Sequence, residues 1–187
     1  MKLERVLEKL VVLLGKWGLK RDNWCLVGEW ALVLQGYNLE GRKGIIDIYV
    51  NRVSLPWKVK KERQVIPPRD SRYFNEWVSF TEQTKFGLDM IPIPEDPTDP
   101  RTAVSIRKNS FVYQLPNESE LRVNTPLAEV KVHQWLFQQY TAEDVGEENI
   151  ERWWGYIRDI AKVARGKRDE KVIEATRLLL RKYGKES

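Results

Sequence analysis

Between Trp24 and Val50 the chain reads WCLVGEWALVLQG, then a polar turn, then GIIDIYV. Cys25, Leu26 and Val27 form an apolar run that stops at Gly28. Ala31, Leu32 and Leu34 follow at helical spacing, and Gly36 stands where a helix most easily ends in a left-handed residue. After the basic turn Arg42-Lys43 comes an apolar strand with one carboxylate, Asp47, set among Ile45, Ile46, Ile48 and Val50. The stretch therefore predicts a strand, a glycine turn, a short helix and a second strand. A carboxylate in such a strand is costly to bury without a partner, so Asp47 asks for a chemical reason.

At 187 residues the chain can bury a substantial core, and its 42% hydrophobic content with eight Trp argues for a folded domain. The single cysteine, Cys25, lies in the first predicted strand and reads as a small core residue, which rules out an internal disulfide framework. An intracellular, cytoplasmic protein is the expectation. The run LVVLLGKWGL is broken by Lys16 and lacks a small-residue cleavage pattern, so it reads as a helix rather than a secretory signal. No run approaches the length of a membrane span, and no membrane partner is expected.

The net charge of +5 permits an anionic partner without requiring one. Residues 52–69 hold six Lys or Arg against the single Glu62. Within them Lys58, Lys60, Lys61 and Arg63 are the candidates for contact with RNA or DNA, although a charged edge strand also resists aggregation. The stretch from Glu151 onward is basic as well, whereas residues 141–149 are acidic.

Leu3 to Trp17 carries its apolar residues on one helical face. WKVKKERQVIPP reads as an edge strand or hairpin arm, and Asp70 or Ser71 as the cap of a short helix or turn near Tyr73 to Trp77. VSFTEQ and FGLDMIPIP are expected to be strands, with Pro92 and Pro94 confining the second to a sheet edge. PEDPTDPRTA reads as a loop, and FVYQLP with LRVNTP as a last strand pair. Thr125-Pro126 is a helix start, a cap followed by Pro at the first helical position. Helices are expected over 127–140, 147–164 and 168–183. The outcome is an α+β (α/β) chain, a mixed sheet flanked by helices over residues 1–126, with a helical region over 127–187 packed on it.

LVGEWALVLQG followed closely by IDIYV resembles the front of the minimal nucleotidyltransferase, or DNA polymerase β-like, superfamily. LRVNTPLAEVK is similar to a later phrase of its bacterial-toxin-related branch. Gly28, Trp30, Ala31, Leu32 and Gly36 match the first motif, while Glu29 stands where relatives have a second Gly or Ser. Asp47 matches one member of an acidic pair. The DIYV register places Ile45 where the other would be, and Asp89 in FGLDMIPIP is the third carboxylate. The resemblance implies a nucleotidyltransferase that takes an NTP with Mg²⁺ and transfers a nucleotidyl group to an unidentified acceptor. Asp47 and Asp89 would be the catalytic metal ligands, and Gly28, Glu29 and Lys131 would stand at the nucleotide. The alternative implied by the missing carboxylate is a catalytically degenerate relative that binds nucleotide, RNA or a protein partner.

Glu29 also has a plain structural role open to it, since a Glu in a first helical turn favours the helix dipole by about 0.3–1 kcal/mol. His133, the only histidine, reads as a helix-surface residue. One Cys and one His exclude a zinc site, and no GxxxxGK[ST] loop occurs. Of the adjacent Trp153 and Trp154, one is expected in the core and one at an interface, because neighbours on a helix point about 100° apart.

Overall fold

The computed structural model describes residues 2–39, 44–58 and 65–185. Five strands form one mixed sheet: β1 (Trp24–Val27), β2 (Ile45–Val50), β3 (Gly87–Pro92), β4 (Ser110–Gln114) and β5 (Glu120–Asn124). They lie side by side in the order β3-β2-β1-β5-β4. β2 runs antiparallel to β1 and parallel to β3, while β5 runs parallel to β1 and antiparallel to β4.

Helix α1 (Leu3–Lys16) and helix α3 (Arg72–Thr84) cover one face of this sheet. Leu7, Leu10 and Leu14 of α1 meet Leu26, Ile46, Ile48, Leu88 and Met90 in the largest apolar cluster. The alternation of β2 and β3 explains which side faces in. Ile46, Ile48, Leu88 and Met90 are buried there, and Asp47 and Asp89 point to the opposite face. On that second face Cys25, Val27 and Tyr49 pack against Ile106 of α4 (Ala103–Asn109).

Helix α2 (Gly28–Leu34) leaves β1 directly, and Gly36 closes its end with φ +75°. The C-terminal helices α5 (Pro126–Gln139), α6 (Ala142–Val145), α7 (Glu147–Lys167) and α8 (Glu170–Lys182) follow the sheet. Thr125 caps α5 through the Ala128 N–H, with Pro126 in the first turn. α5, α7 and α8 share an apolar cluster with Leu32, Tyr37 and Leu39 of the front half. Trp154 of α7 stacks on Phe137 of α5 at 3.7 Å, and the Tyr37 hydroxyl donates to Asp169, the cap of α8, at 2.8 Å. The apolar clustering and this polar tie pin the helical region to the sheet-bearing half.

One expectation fails and one helix was not foreseen. VSFTEQ is the second half of α3 and not a strand. Tyr73, Trp77, Phe80 and Thr84 recur every three or four residues and face the core, and Ser71 caps the helix by accepting the Phe74 N–H. Thr102 caps α4 immediately after the proline-rich loop, a helix that the loop's composition hides. The hairpin arm expected over WKVKKERQVIPP lies partly outside the described residues. Its end is seen, where the Val65 N–H donates to the Met90 carbonyl beside edge strand β3. Among the described residues no helix is long and apolar enough to cross a membrane.

Candidate functional site

Asp47 and Asp89 are paired in register on the parallel strands β2 and β3. Neighbouring strands lie about 4.8 Å apart and paired residues share a face, so the two carboxylates stand side by side. Val27 lies opposite Asp47 on the other flank of β2, which brings the next residue, Gly28, over Asp47. Gly28 has φ +67°, a conformation that favours glycine, and a Cβ there would come within 3.0 Å of Asp47 Oδ2. The glycine turn and the acidic strand read from the sequence thus meet at one point.

That point is the floor of a cavity of about 710 Å³ lined also by Glu29, Ile45, Glu129 and His133. α7 forms the facing wall with Arg152, Trp153, Tyr156 and Asp159. Arg152, Tyr156 and Asp159 are spaced by four and three residues, one stripe of a helix. Five carboxylates therefore face the cavity against a single guanidinium among its described lining residues. An anionic ligand could enter only with cations beside it.

Glu129 is the least exposed of these acids, at 3%. It accepts the Gly28 backbone N–H at 3.1 Å and the Asn124 side-chain amide at 2.7 Å. Burial raises its pKa, and the two donors pull the other way. The Gly28 N–H, expected to approach a phosphate, is therefore already engaged. Glu29 does face the cavity from the first turn of α2.

His133 lies one turn along α5 from Glu129 and corrects the surface position expected for it. It is half-buried, tilted against the Tyr156 ring at 4.8 Å and edge-on to Trp153 at 6.5 Å. Burial lowers its pKa to about 4, so the ring is neutral at ordinary pH. Its Nδ1 sits 2.9 Å from the Glu129 carbonyl oxygen. A carbonyl only accepts, so Nδ1 carries the proton and Nε2 keeps its lone pair. The Tyr156 hydroxyl is buried with no hydrogen-bond partner among the described residues. Its pKa is driven up by burial first, then by Glu129, Glu29 and Asp47, which places the phenol amid the acids.

Lys131 is not at the cavity. Two residues from Glu129 and from His133, it points about 200° away on the helix. It is exposed, with Nζ 3.5 Å from Asn109 Oδ1. Lys58 is exposed on the loop after β2, and Lys60, Lys61 and Arg63 lie outside the described residues. Trp153 borders the cavity while Trp154 is core, as their spacing requires. Sequence reasoning passed over Glu129, although Glu129 and His133 four residues apart on one helix already signalled a shared face.

Among the described residues no three His, Cys, Asp or Glu side chains gather into a ready-made metal cluster. Asp47 and Asp89 supply the hard oxygen donors that suit one Mg²⁺ completed by ligand phosphates and water. Ile45 occupies the same face of β2 two residues earlier, 37% exposed and lining the cavity. No protein-family model matches this chain, nor does any curated protein or solved structure.

Proposed function

We propose that this cavity binds a nucleoside triphosphate together with Mg²⁺ and that the protein is a nucleotidyltransferase-like enzyme acting on an acceptor of unknown identity. The in-register pair Asp47–Asp89 beneath Gly28, in a cavity large enough for a nucleotide, carries this reading. Asp47 and Asp89 would hold the ion. Bound there, Mg²⁺ would offset phosphate charge and orient the α-phosphate for in-line displacement of pyrophosphate. Arg152 is the one cation of the described lining available to the phosphates, and Trp153 offers an aromatic surface beside it. His133 serves as a neutral hydrogen-bond acceptor through Nε2. With its pKa near 4 it is a weak base.

A second reading, binding of the nucleotide without transfer, is favoured by Ile45 in place of a carboxylate. One experiment separates the two. Each NTP, labelled at the α-phosphate, is incubated with the protein, Mg²⁺ and candidate acceptors, and covalent label is followed. Transfer abolished by Asp47→Asn establishes the enzyme. Mg²⁺-dependent NTP binding without transfer establishes the binding protein, and neither result rejects both.

A further inference from the structure

The face of α7 turned away from the carboxylate cavity borders a second concavity of about 580 Å³, shared with α8. Arg158, Lys162 and Arg165 line it from α7, and Arg177 and Lys185 from α8 and the turn beyond. No carboxylate is among its described lining residues. Spacings of four and three residues put the three α7 cations on one stripe about 10 Å long.

Residues 151–185 hold eleven Lys or Arg against five Asp or Glu, a net +6, while the whole chain carries +5. Over the full span of α7 and α8, residues 147–182, ten Lys or Arg stand against seven Asp or Glu, a net +3, so what sets the groove apart is the gathering of five cations along one lining. Lys185 pairs with Glu151 at 2.8 Å and Arg177 with Glu174 at 2.7 Å, Glu151 also faces Arg158, and Lys162 has a contact of its own. The Glu of each pair is exposed, and exposed pairs of this kind are readily exchanged for a stronger anion. Three of the cations are guanidiniums, whose planar fork matches phosphate oxygens bidentately.

We propose that the α7–α8 groove is a nucleic-acid-binding site that grips the phosphodiester backbone. The groove holds no aromatic side chain among its described lining, so it reads charge and spacing and not base identity. It is concave, and its apolar residues, Ala161, Ile173 and Leu180, form the floor with no fringe to insert into a bilayer. The site is separate from the basic segment 52–69 and does not depend on the reading of the carboxylate cavity.

The test is fluorescence anisotropy of the full chain with a labelled, unstructured oligoribonucleotide of about 20 nucleotides and with duplex DNA. Five cations at phosphates predict a log–log salt slope of about −3.5 on the single strand, roughly a 130-fold loss of affinity between about 50 and 200 mM salt. Arg158→Glu with Arg165→Glu should weaken binding at least tenfold and lower that slope by about two-fifths. The same pair changed to Gln gives a milder version should the charge reversal disturb the fold. Arg5→Glu with Lys9→Glu on α1 makes the same charge change elsewhere and should leave binding within about twofold. Asp47→Asn should leave binding intact, whatever its effect on transfer. The proposal is overturned by no binding of either nucleic acid, by equal loss in the α1 variant, or by binding of phosphatidylserine vesicles alone.

Discussion

The buried carboxylate of Glu129 accepts the backbone N–H of Gly28 at 3.1 Å, so one side chain on α5 holds the tight turn between β1 and α2. Because it also accepts the Asn124 amide, it is the acceptor for two donors from two other elements. Glu129→Ala would leave both donors without that acceptor and should cost about 2–4 kcal/mol in urea unfolding. Glu129→Gln keeps an acceptor oxygen and should cost far less. The pH dependence distinguishes them further. The folded-state pKa of Glu129 lies above the ordinary value near 4.5, so its contribution is full below that pH and is lost as pH rises through the folded value. The Gln variant should therefore gain on the wild type as pH increases, and a constant difference would contradict the buried acid.

His133 has the opposite sign. Its folded pKa near 4 is below the ordinary 6.5, so the unfolded chain binds the proton more readily between those values. Stability from this residue is complete above about pH 6.5 and falls as pH drops toward 4. His133→Phe should remove that dependence, leaving the variant relatively more stable at pH 5 by about 1–2 kcal/mol. Parallel stability curves for the two proteins would show that the ring is not held neutral by burial.

Asp47 and Asp89 should act together toward a divalent ion. Mg²⁺ with NTP is expected to raise the melting temperature of the wild type, and either Asp→Asn change should remove most of the shift. Ile45→Asp adds a carboxylate two residues along the same strand face. With Ile45 already 37% exposed, the change should cost less than about 1 kcal/mol. Mn²⁺ binding followed by electron paramagnetic resonance should tighten about tenfold or more, because charge count tunes such sites. No change in Mn²⁺ affinity would mean that this strand face does not address the ion.

Tyr156 offers a prediction that separates packing from binding. Its buried hydroxyl has no hydrogen-bond partner among the described residues, so Tyr156→Phe should leave stability unchanged or raise it by up to about 1 kcal/mol. The same variant should alter Mg²⁺-dependent NTP affinity if the phenol meets the ligand among Glu129, Glu29 and Asp47. A large loss of stability would show instead that the hydroxyl holds the fold.

The front of the chain was legible because its signals are local. Gly28, the spacing of Ala31 and Leu32, and Thr125-Pro126 each act within one turn, and β1, α2, β2 and α5 follow from them. VSFTEQ misled because a six-residue window catches two β-branched residues and misses the helical period set by Tyr73, Trp77 and Phe80. The cavity was half legible. Asp47 and Asp89 are far apart in sequence and needed the parallel register to become neighbours, and only the family resemblance had put them together. Glu129 escaped because its importance lies in donors from Gly28 and Asn124, and a carboxylate beside Lys131 looks like any solvated helix face. The position of Lys131 followed from resemblance, and helix geometry turns it outward.

α7 separates a recess rich in carboxylates from a groove rich in guanidiniums, across the width of a single helix. A charged body near this molecule would feel a torque before it felt a contact. A polyanion would swing the α8 side toward itself and a cation the opposite side, so encounters would be oriented at long range and scrambled by salt. Field-induced alignment in low-salt electric-birefringence measurements is where that asymmetry should show.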